Sequence, residues 1–465
     1  MLRNDLSLAD RQQPNAMKVA FVNQPWDTIS PPVSAGSIPI WTYETAKRLS
    51  QSADVREIVI YARRDPQQAA TETYEGIEYR RVSVAGSKLF VGLAKLGSKL
   101  SASFRYLNSR LYFLPYIMRV AADLRRQQCD IVHIHNFSQF VPIIRAFNPQ
   151  IKIVLHMHCE WLTQFKPEVI APRLAKTDRV FGCSQYITNK VRERFPERFP
   201  EGKAIACGMA SLAPTHQCQT VFNGVDTYQF VASSKKTDLN LLFVGRVSPE
   251  KGLHTLVDAF LKIADDFPTA QLYIIGSLHQ ISSEFIVDIS SDPLVRNLAS
   301  FHAVNYLAHL KDKLPPKISD RVIFTGSLSH LSLETYFQEP DILINPSVSE
   351  AFGMSLVEAM ATSKPTIATA VGGMPEIVVQ GKTGLVVPPE CPDEMAEAIS
   401  RLLSDESLRM RMGEAGRARA VEMFSWEAIA STLQDQYNHL LSTKDSIPRN
   451  STATQALQNS EGVSL

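Results

Sequence analysis

Asn345-Pro-Ser-Val-Ser-Glu-Ala-Phe-Gly-Met-Ser-Leu-Val-Glu-Ala-Met-Ala361 is the stretch that decides the fold. It reads as a strand end, a turn over Ser349 to Gly353, and a helix opening at Met354. Glu350 falls in the turn. Glu358 comes one helical turn after Met354, ~6 Å further along the axis. A helix start offers free backbone N–H groups and the positive end of a dipole, which suits a diphosphate. Carboxylates on either side of that seat can accept hydrogen bonds from hydroxyl-rich groups, one from a sugar and the other from a ribose. Two glutamates eight residues apart also occur as solvated pairs on ordinary surface helices. The continuation Lys364-Pro-Thr-Ile-Ala-Thr-Ala-Val-Gly-Gly-Met-Pro-Glu376 makes the string far more specific.

A second motif, Phe243-Val-Gly-Arg-Val-Ser-Pro-Glu-Lys-Gly252, places Arg246 and Lys251 on a loop after a strand that ends at Gly245. Arginine offers a planar fork for two phosphate oxygens and lysine a mobile point charge. Fixed cations here would stabilise the charge that builds on a departing diphosphate. The bland alternative is an exposed basic loop.

Around these motifs, short Val/Ile-rich runs alternate with helical stretches, the pattern of parallel α/β units. Strands are expected at Lys18–Asn23, Glu57–Ala62, Ile131–His135, Ile153–His158 and Val180–Cys183. After a polar connection at Ser233–Asp238 they resume at Leu241–Gly245, Gln271–Gly276, Val322–Gly326, Ile342–Asn345, Thr366–Thr369 and Leu385–Val387. The expected division is a flexible extension over 1–16, an N-terminal domain over 17–232 and a C-terminal domain over 239–424. A final helix over 425–442 opens with Ser425 as N-cap, and 443–465 reads as a disordered polar tail.

The whole string resembles retaining glycosyltransferases of family 4, and the likeness extends from Met17 to about Leu441. It implies an α/β fold of the GT-B type: two Rossmann-like parallel-sheet domains face across a cleft, and a C-terminal helix crosses back to the N-terminal domain. It implies that Glu350 meets the donor sugar and Glu358 the ribose, with the diphosphate on Arg246, Lys251 and the helix start over Gly353, Met354, Ser355 and Leu356, and with Gly245 and Phe352 also among the donor-binding residues. In Lys152-Ile-Val-Leu-His-Met-His-Cys-Glu-Trp161, His158 matches the family histidine at the cleft. Retention itself is inherited from the resemblance and is not visible in the residues.

Family members carry Gly-Gly in the facing loop, whereas Pro31-Pro-Val-Ser-Ala-Gly-Ser-Ile38 puts Gly36 and Ser37 opposite that pair. Gly36 keeps the role of an acceptor and phosphate loop; a plain structural turn is the alternative. A second departure is Ser277 to Ser319, longer than the family's glycine-rich turn and single helix. Its apolar spacing predicts additional helix.

His156 reads as a buried core histidine, and His133 and His135 as structural groups beneath the cleft. Four histidines at two strand ends could also imitate a metal site, with only Glu160 near to complete a ligand set. Cys207 and Cys218 with His216 match no standard metal spacing, and the six cysteines read as free thiols. No Asp-x-Asp occurs in the chain. With Arg246, Lys251 and a helix start available, no metal or other cofactor is expected.

Composition fits a soluble enzyme, with 45% hydrophobic and 20% charged residues. Without an apolar run of about eighteen residues, nothing reads as membrane-spanning. The polar N-terminus lacks a signal peptide's apolar centre, so a cytoplasmic location is expected. The net +1 hides polarity: residues 1–234 carry 29 Lys and Arg against 19 Asp and Glu, and the remainder is acidic by 9. Residues 86–126 set eight cations against Asp123 on an apolar-periodic stretch. They read either as core helices with a basic face or as helices that lie on an anionic membrane surface. The expected partners are a nucleotide-sugar donor and a hydroxyl acceptor, free or lipid-linked, with no nucleic acid. A sugar-nucleotide epimerase of similar fold and a non-catalytic nucleotide-sugar-binding protein are the alternatives.

Overall fold

The computed structural model describes residues 16–33, 35–100, 106–200, 217–231, 240–328, 330–338 and 341–442. The extension before Ala16, the connection at 233–238, the tail from 443, and Cys207 and His216 lie outside them.

One sheet contains β1 (Met17–Val22), β2 (Val55–Arg63), β3 (Thr71–Tyr74), β4 (Ile77–Val82), β5 (Ile131–His135), β6 (Lys152–Met157), β7 (Arg179–Gly182) and β8 (Cys218–Thr220). Their order is β3-β4-β2-β1-β5-β6-β7-β8, and only the β3–β4 pair is antiparallel. The second sheet contains β9 (Asn240–Val244), β10 (Gln271–Ile275), β11 (Val322–Gly326), β12 (Ile342–Asn345), β13 (Thr366–Thr369) and β14 (Gly384–Val387). It is wholly parallel, in the order β11-β10-β9-β12-β13-β14.

Central strands such as β1 and β5 are buried along their whole length, which is why they are mostly apolar and why even Lys18, His133 and His135 are enclosed in them. The edge hairpin β3–β4 was not anticipated from the sequence. Thr71–Tyr74 is polar and mostly exposed, and β4 alternates buried with half-buried positions. The hairpin is set by Glu75-Gly76, both at positive φ, the geometry of a two-residue primed turn.

The strand order reverses beside β1 in the first sheet and beside β9 in the second. In doubly wound sheets a ligand crevice opens beyond the strand C-termini at such switch points. The Trp426–Ser442 helix closes the molecule. Its Trp426, Ile429, Leu433, Tyr437 and Leu440 join the core formed by Val19 and Phe21 of β1 and by helix α1 (Ser37–Leu49). Ser425 caps this helix by accepting from the Ala428 N–H at 3.3 Å. On another side the domains are tied by Glu376, whose carboxylate accepts from the Gln185 and Tyr186 backbone N–H groups. Those amides open the Gln185–Arg194 helix, where a carboxylate complements the dipole.

Ser277 to Ser319 forms a run of short helices, including Pro293–Asn297 and Tyr306–Asp312, as its apolar spacing predicts. Buried Tyr306 anchors it, accepting the His254 N–H through its hydroxyl at 3.0 Å.

Helices α2 (Ser87–Leu100) and α3 (Leu114–Gln127) divide the basic stretch unequally. α3 is a core helix that buries Tyr116, Ile117, Val120, Ala121 and Leu124. α2 does the reverse: it buries Ala94 and leaves Leu89 67% exposed, Leu93 47% and Leu96 55%. Asp123, the lone carboxylate of the stretch, faces inward, bonded to Tyr61 and Arg80. Arg105 lies outside the described residues.

Candidate active site

A cleft of about 550 Å³ lies where the C-terminal ends of β9 and β12 face α1 and β6. The sequence folds the C-terminal wall in two loops. After β9 the chain turns through Arg246 into the short helix Pro249–Lys251, where buried Glu250 holds the loop against its neighbour. The Glu250 carbonyl accepts the Val348 and Ser349 N–H groups at 2.9 and 3.2 Å, joining the two loops. After β12, Asn345 Oδ1 accepts from Ser347, and the chain then turns through Glu350 into the Met354–Ala361 helix. Gly372 passes directly beneath: its φ is +56°, and a Cβ there would stand 1.5 Å from the Glu350 carbonyl oxygen. The Gly-Gly of the 364–376 string is therefore the floor on which the Glu350 turn rests.

Glu350 and Lys251 meet at 2.6 Å. Burial pushes the Glu350 carboxyl up, but the Lys251 charge and hydrogen bond, the Phe352 N–H and Arg246 outweigh it and hold it below its ordinary value. Arg246 is half exposed and reaches Glu250 at 3.4 Å. Glu358 is buried at the far end of the cleft. Gly245, Phe352, Gly353, Met354 and Ser355 also line it. Leu356 does not: its side chain is in the core and its N–H bonds the Gly353 carbonyl at 3.0 Å. The first-turn amides of the helix are thus those before Leu356, because the carbonyl of the left-handed Gly353 already takes the Leu356 amide.

Gly36, Ser37 and His158 stand on the facing wall. Gly36 has φ 84° and starts α1, so the loop role expected for it coincides with a helix start. Behind His158 lie His133, His135 and His156, all buried. Trp41 packs against all four rings at centroid distances of 4.8 to 5.9 Å. Thr42 Oγ1 meets His135 Nε2 at 3.0 Å, and His135 Nδ1 meets His158 Nε2 at 3.0 Å. His133 joins Tyr437 OH at 2.6 Å and His156 Nδ1 at 3.2 Å. Burial lowers the pKa of every one, and His158 falls to about 3 despite a hydrogen bond to Asn223. These are neutral imidazoles. His133, His135 and His156 each bring a ring nitrogen within 4.8 Å of the others, close enough to hold an ion; hydrogen bonds occupy both nitrogens of His133 and His135 and Nδ1 of His156, whereas His156 Nε2 is buried without a partner.

Asn223 and Glu250 were missed in the sequence. Asn223 belongs to a turn with no chemical motif around it, and Glu250 sits inside the Arg246–Lys251 motif, where its acid character signals only a surface loop.

The family model for glycosyl transferases group 1 matches residues 225–419, and that for glycosyltransferase family 4 matches residues 40–205. The lipopolysaccharide 1,2-N-acetylglucosaminetransferase of Salmonella typhimurium is 26% identical over 90% of this chain and 97% of its own. A D-inositol 3-phosphate glycosyltransferase of Streptomyces griseus is 27% identical over 88% of this chain and 85% of its own. Among solved structures, sucrose-phosphate synthase from Thermosynechococcus elongatus superposes with a TM-score of 0.66 at 21% identity, covering 91% of this chain and 99% of the other. Anabaena HepE in complex with UDP and glucose gives 0.60 at 17% identity, covering 91% and 100%.

Proposed function

The chain belongs to the family 4 glycosyltransferases of GT-B architecture, and from that premise we propose that it moves a sugar from a nucleotide-diphosphate sugar to a hydroxyl acceptor with retention at the anomeric carbon. One observation carries the reading: two cations, a helix start and two carboxylates from separate loops converge on one cleft, opposite Gly36 and His158.

In this reading the diphosphate lies on Arg246, Lys251 and the amides of Met354 and Ser355. These groups oppose the negative charge that grows as the bond to the anomeric carbon breaks. Glu350 orients the sugar and Glu358 the ribose. Neutral His158 stands on the opposite wall, where a sugar hydroxyl would take the place of Asn223 as its hydrogen-bond partner. With no protein nucleophile suited to a double displacement among the described residues, the acceptor hydroxyl attacks from the side the diphosphate leaves. No metal takes part, since fixed side chains supply the positive charge. The lipopolysaccharide enzyme among the relatives favours glycan or lipopolysaccharide synthesis as the setting. HepE, with its UDP and glucose, favours a uridine donor.

Among the described residues no helix is long and apolar enough to cross a membrane. We place the enzyme in the cytoplasm, docked on the inner membrane face through α2. The support is the outward Leu89, Leu93 and Leu96 flanked by Lys88 and Lys95, an apolar face exposed among the described residues.

Incubation with UDP-, GDP- and ADP-sugars, followed by product analysis, tests the proposal. Release of nucleoside diphosphate with slow donor hydrolysis supports transfer. An epimerised donor would establish the epimerase alternative, and saturable binding without turnover would establish a binding protein.

A further inference from the structure

A second, smaller pocket of about 160 Å³ opens off the main cleft and shares His158, Arg246, Lys251 and Glu350 with it. Its remaining walls come from both domains. The N-terminal side gives Glu160, Trp161 and Gln164; the C-terminal side gives Phe285 from the 277–319 segment. That segment is docked here, because Trp161 Nε1 donates to the Phe285 carbonyl at 3.2 Å and Tyr106 OH donates to Glu284 at 2.8 Å. The Trp161 and Phe285 rings lie 6.3 Å apart, inclined by 30°.

The charges in this pocket cancel. Glu160 is paired with Lys190 at 2.6 Å, Glu250 with Arg246 at 3.4 Å and Glu350 with Lys251 at 2.6 Å. Once a donor diphosphate takes Arg246 and Lys251, the lining has no cation left to receive an anionic acceptor. Burial keeps the Cys159 thiol protonated, pushed up to about 12, so it is not a nucleophile. What the pocket does offer is two aromatic faces and the Gln164 amide, a combination that suits the apolar face and the hydroxyls of one ring. At about 160 Å³ the pocket is less than a third of the main cleft, a size that suits one ring.

We propose that this pocket is the acceptor subsite, and that it takes a single uncharged sugar ring laid against the Trp161 and Phe285 side chains that line it, with its attacking hydroxyl toward Glu350. The inference rests on the nucleotide-sugar reading and gives the 277–319 segment a purpose. The acceptor hydroxyl oxygen forms the new bond to the anomeric carbon as the bond from that carbon to the diphosphate oxygen breaks. The electron pair leaves with the nucleoside diphosphate, and the hydroxyl proton passes to the departing phosphate oxygen. An acceptor carried on a lipid would enter with its terminal sugar and leave its phosphate outside.

The test offers the active donor together with methyl glycosides of glucose, galactose, mannose and N-acetylglucosamine, and with myo-inositol 1-phosphate as the anionic comparator. At least one methyl glycoside should be glycosylated. Gln164→Ala and Trp161→Ala should each raise its KM tenfold or more while the donor KM moves less than threefold. Trp161→Phe should restore most of the loss, separating a stacking role from a folding defect. Use of the inositol phosphate in place of every glycoside would overturn the proposal, as would a glycoside KM unmoved by both alanine variants. Donor hydrolysis with no glycoside accepted would also overturn it. Absence of donor turnover altogether would remove the nucleotide-sugar reading as well.

Discussion

Lys251 Nζ lies 2.6 Å from Glu350 Oε2, although 99 residues separate the two in the chain. The pair joins the loops after β9 and β12 at the centre of the cleft, with both side chains largely shielded from water. A carboxylate and an ammonium are thereby set in place before any ligand arrives, so little reorganisation is needed when charge develops. An incoming diphosphate would compete for Lys251 and release Glu350 toward the sugar.

That arrangement separates the two glutamates. Glu350→Gln should lower kcat strongly, because in the proposed binding mode Glu350 stands beside the reacting sugar. Glu358→Gln should act mainly on donor KM, because a ribose contact is remote from the chemistry. Steady-state kinetics on both variants decide it. Equal losses confined to KM would contradict the ordering.

The histidine cluster predicts an acid limit to stability. His133, His135, His156 and His158 are held neutral in the folded state, each with its pKa lowered. Above the unfolded value near 6.5 they cost nothing. As pH falls below it, the unfolded chain binds protons that the folded chain cannot, and stability drops by up to ~1.4 kcal/mol per pH unit for each histidine. Asp27, raised to about 6 by burial, binds a proton in the folded state and offsets part of one such loss. The melting temperature should therefore fall steeply between pH 6.5 and 5. A flat profile would mean the cluster is hydrated or charged.

Much of this architecture was legible in the sequence, and the exceptions have physical reasons. Ile131–His135, Ile342–Asn345 and Thr366–Thr369 begin and end where expected, since buried parallel strands carry their signal on both faces, and the half-buried edge strand Val322–Gly326 matches as well. The β3–β4 hairpin is a polar edge with no such signal. Glu350 and Lys251 were each readable from local motifs, but their contact was not, because it depends on how β9 and β12 sit side by side. The outward face of α2 was equally unreadable. Periodicity shows that one side of a helix is apolar and not which way that side points. Leu356 was assigned to the phosphate seat by position, whereas its amide is already taken by Gly353.

Metal independence has a direct check. Activity should persist in excess EDTA, because in the proposed binding mode Arg246, Lys251 and the Met354 helix start oppose the charge of the leaving diphosphate. Complete inhibition reversed by manganese would refute this.

Membrane docking should depend on α2. Vesicles rich in anionic lipid should sediment the protein at low salt, and the triple change Leu89→Ser, Leu93→Ser, Leu96→Ser should abolish it. Raising salt to 1 M shortens the Debye length from about 10 Å at 0.1 M to roughly 3 Å, so the part due to Lys88, Lys95 and their neighbours should weaken sharply. Wild-type protein that ignores such vesicles even at low salt would leave α2 without this role.

The diphosphate seat is the centre of the account, and donor turnover by the wild type beside Arg246→Ala and Lys251→Ala measures it most directly. The wild type should release nucleoside diphosphate from at least one of the UDP-, GDP- and ADP-sugars with saturable kinetics. Each variant should be slower by ~10²-fold or more, the loss expected for one preorganised contact to developing charge. Near-normal kcat/KM in both variants would contradict the assignment.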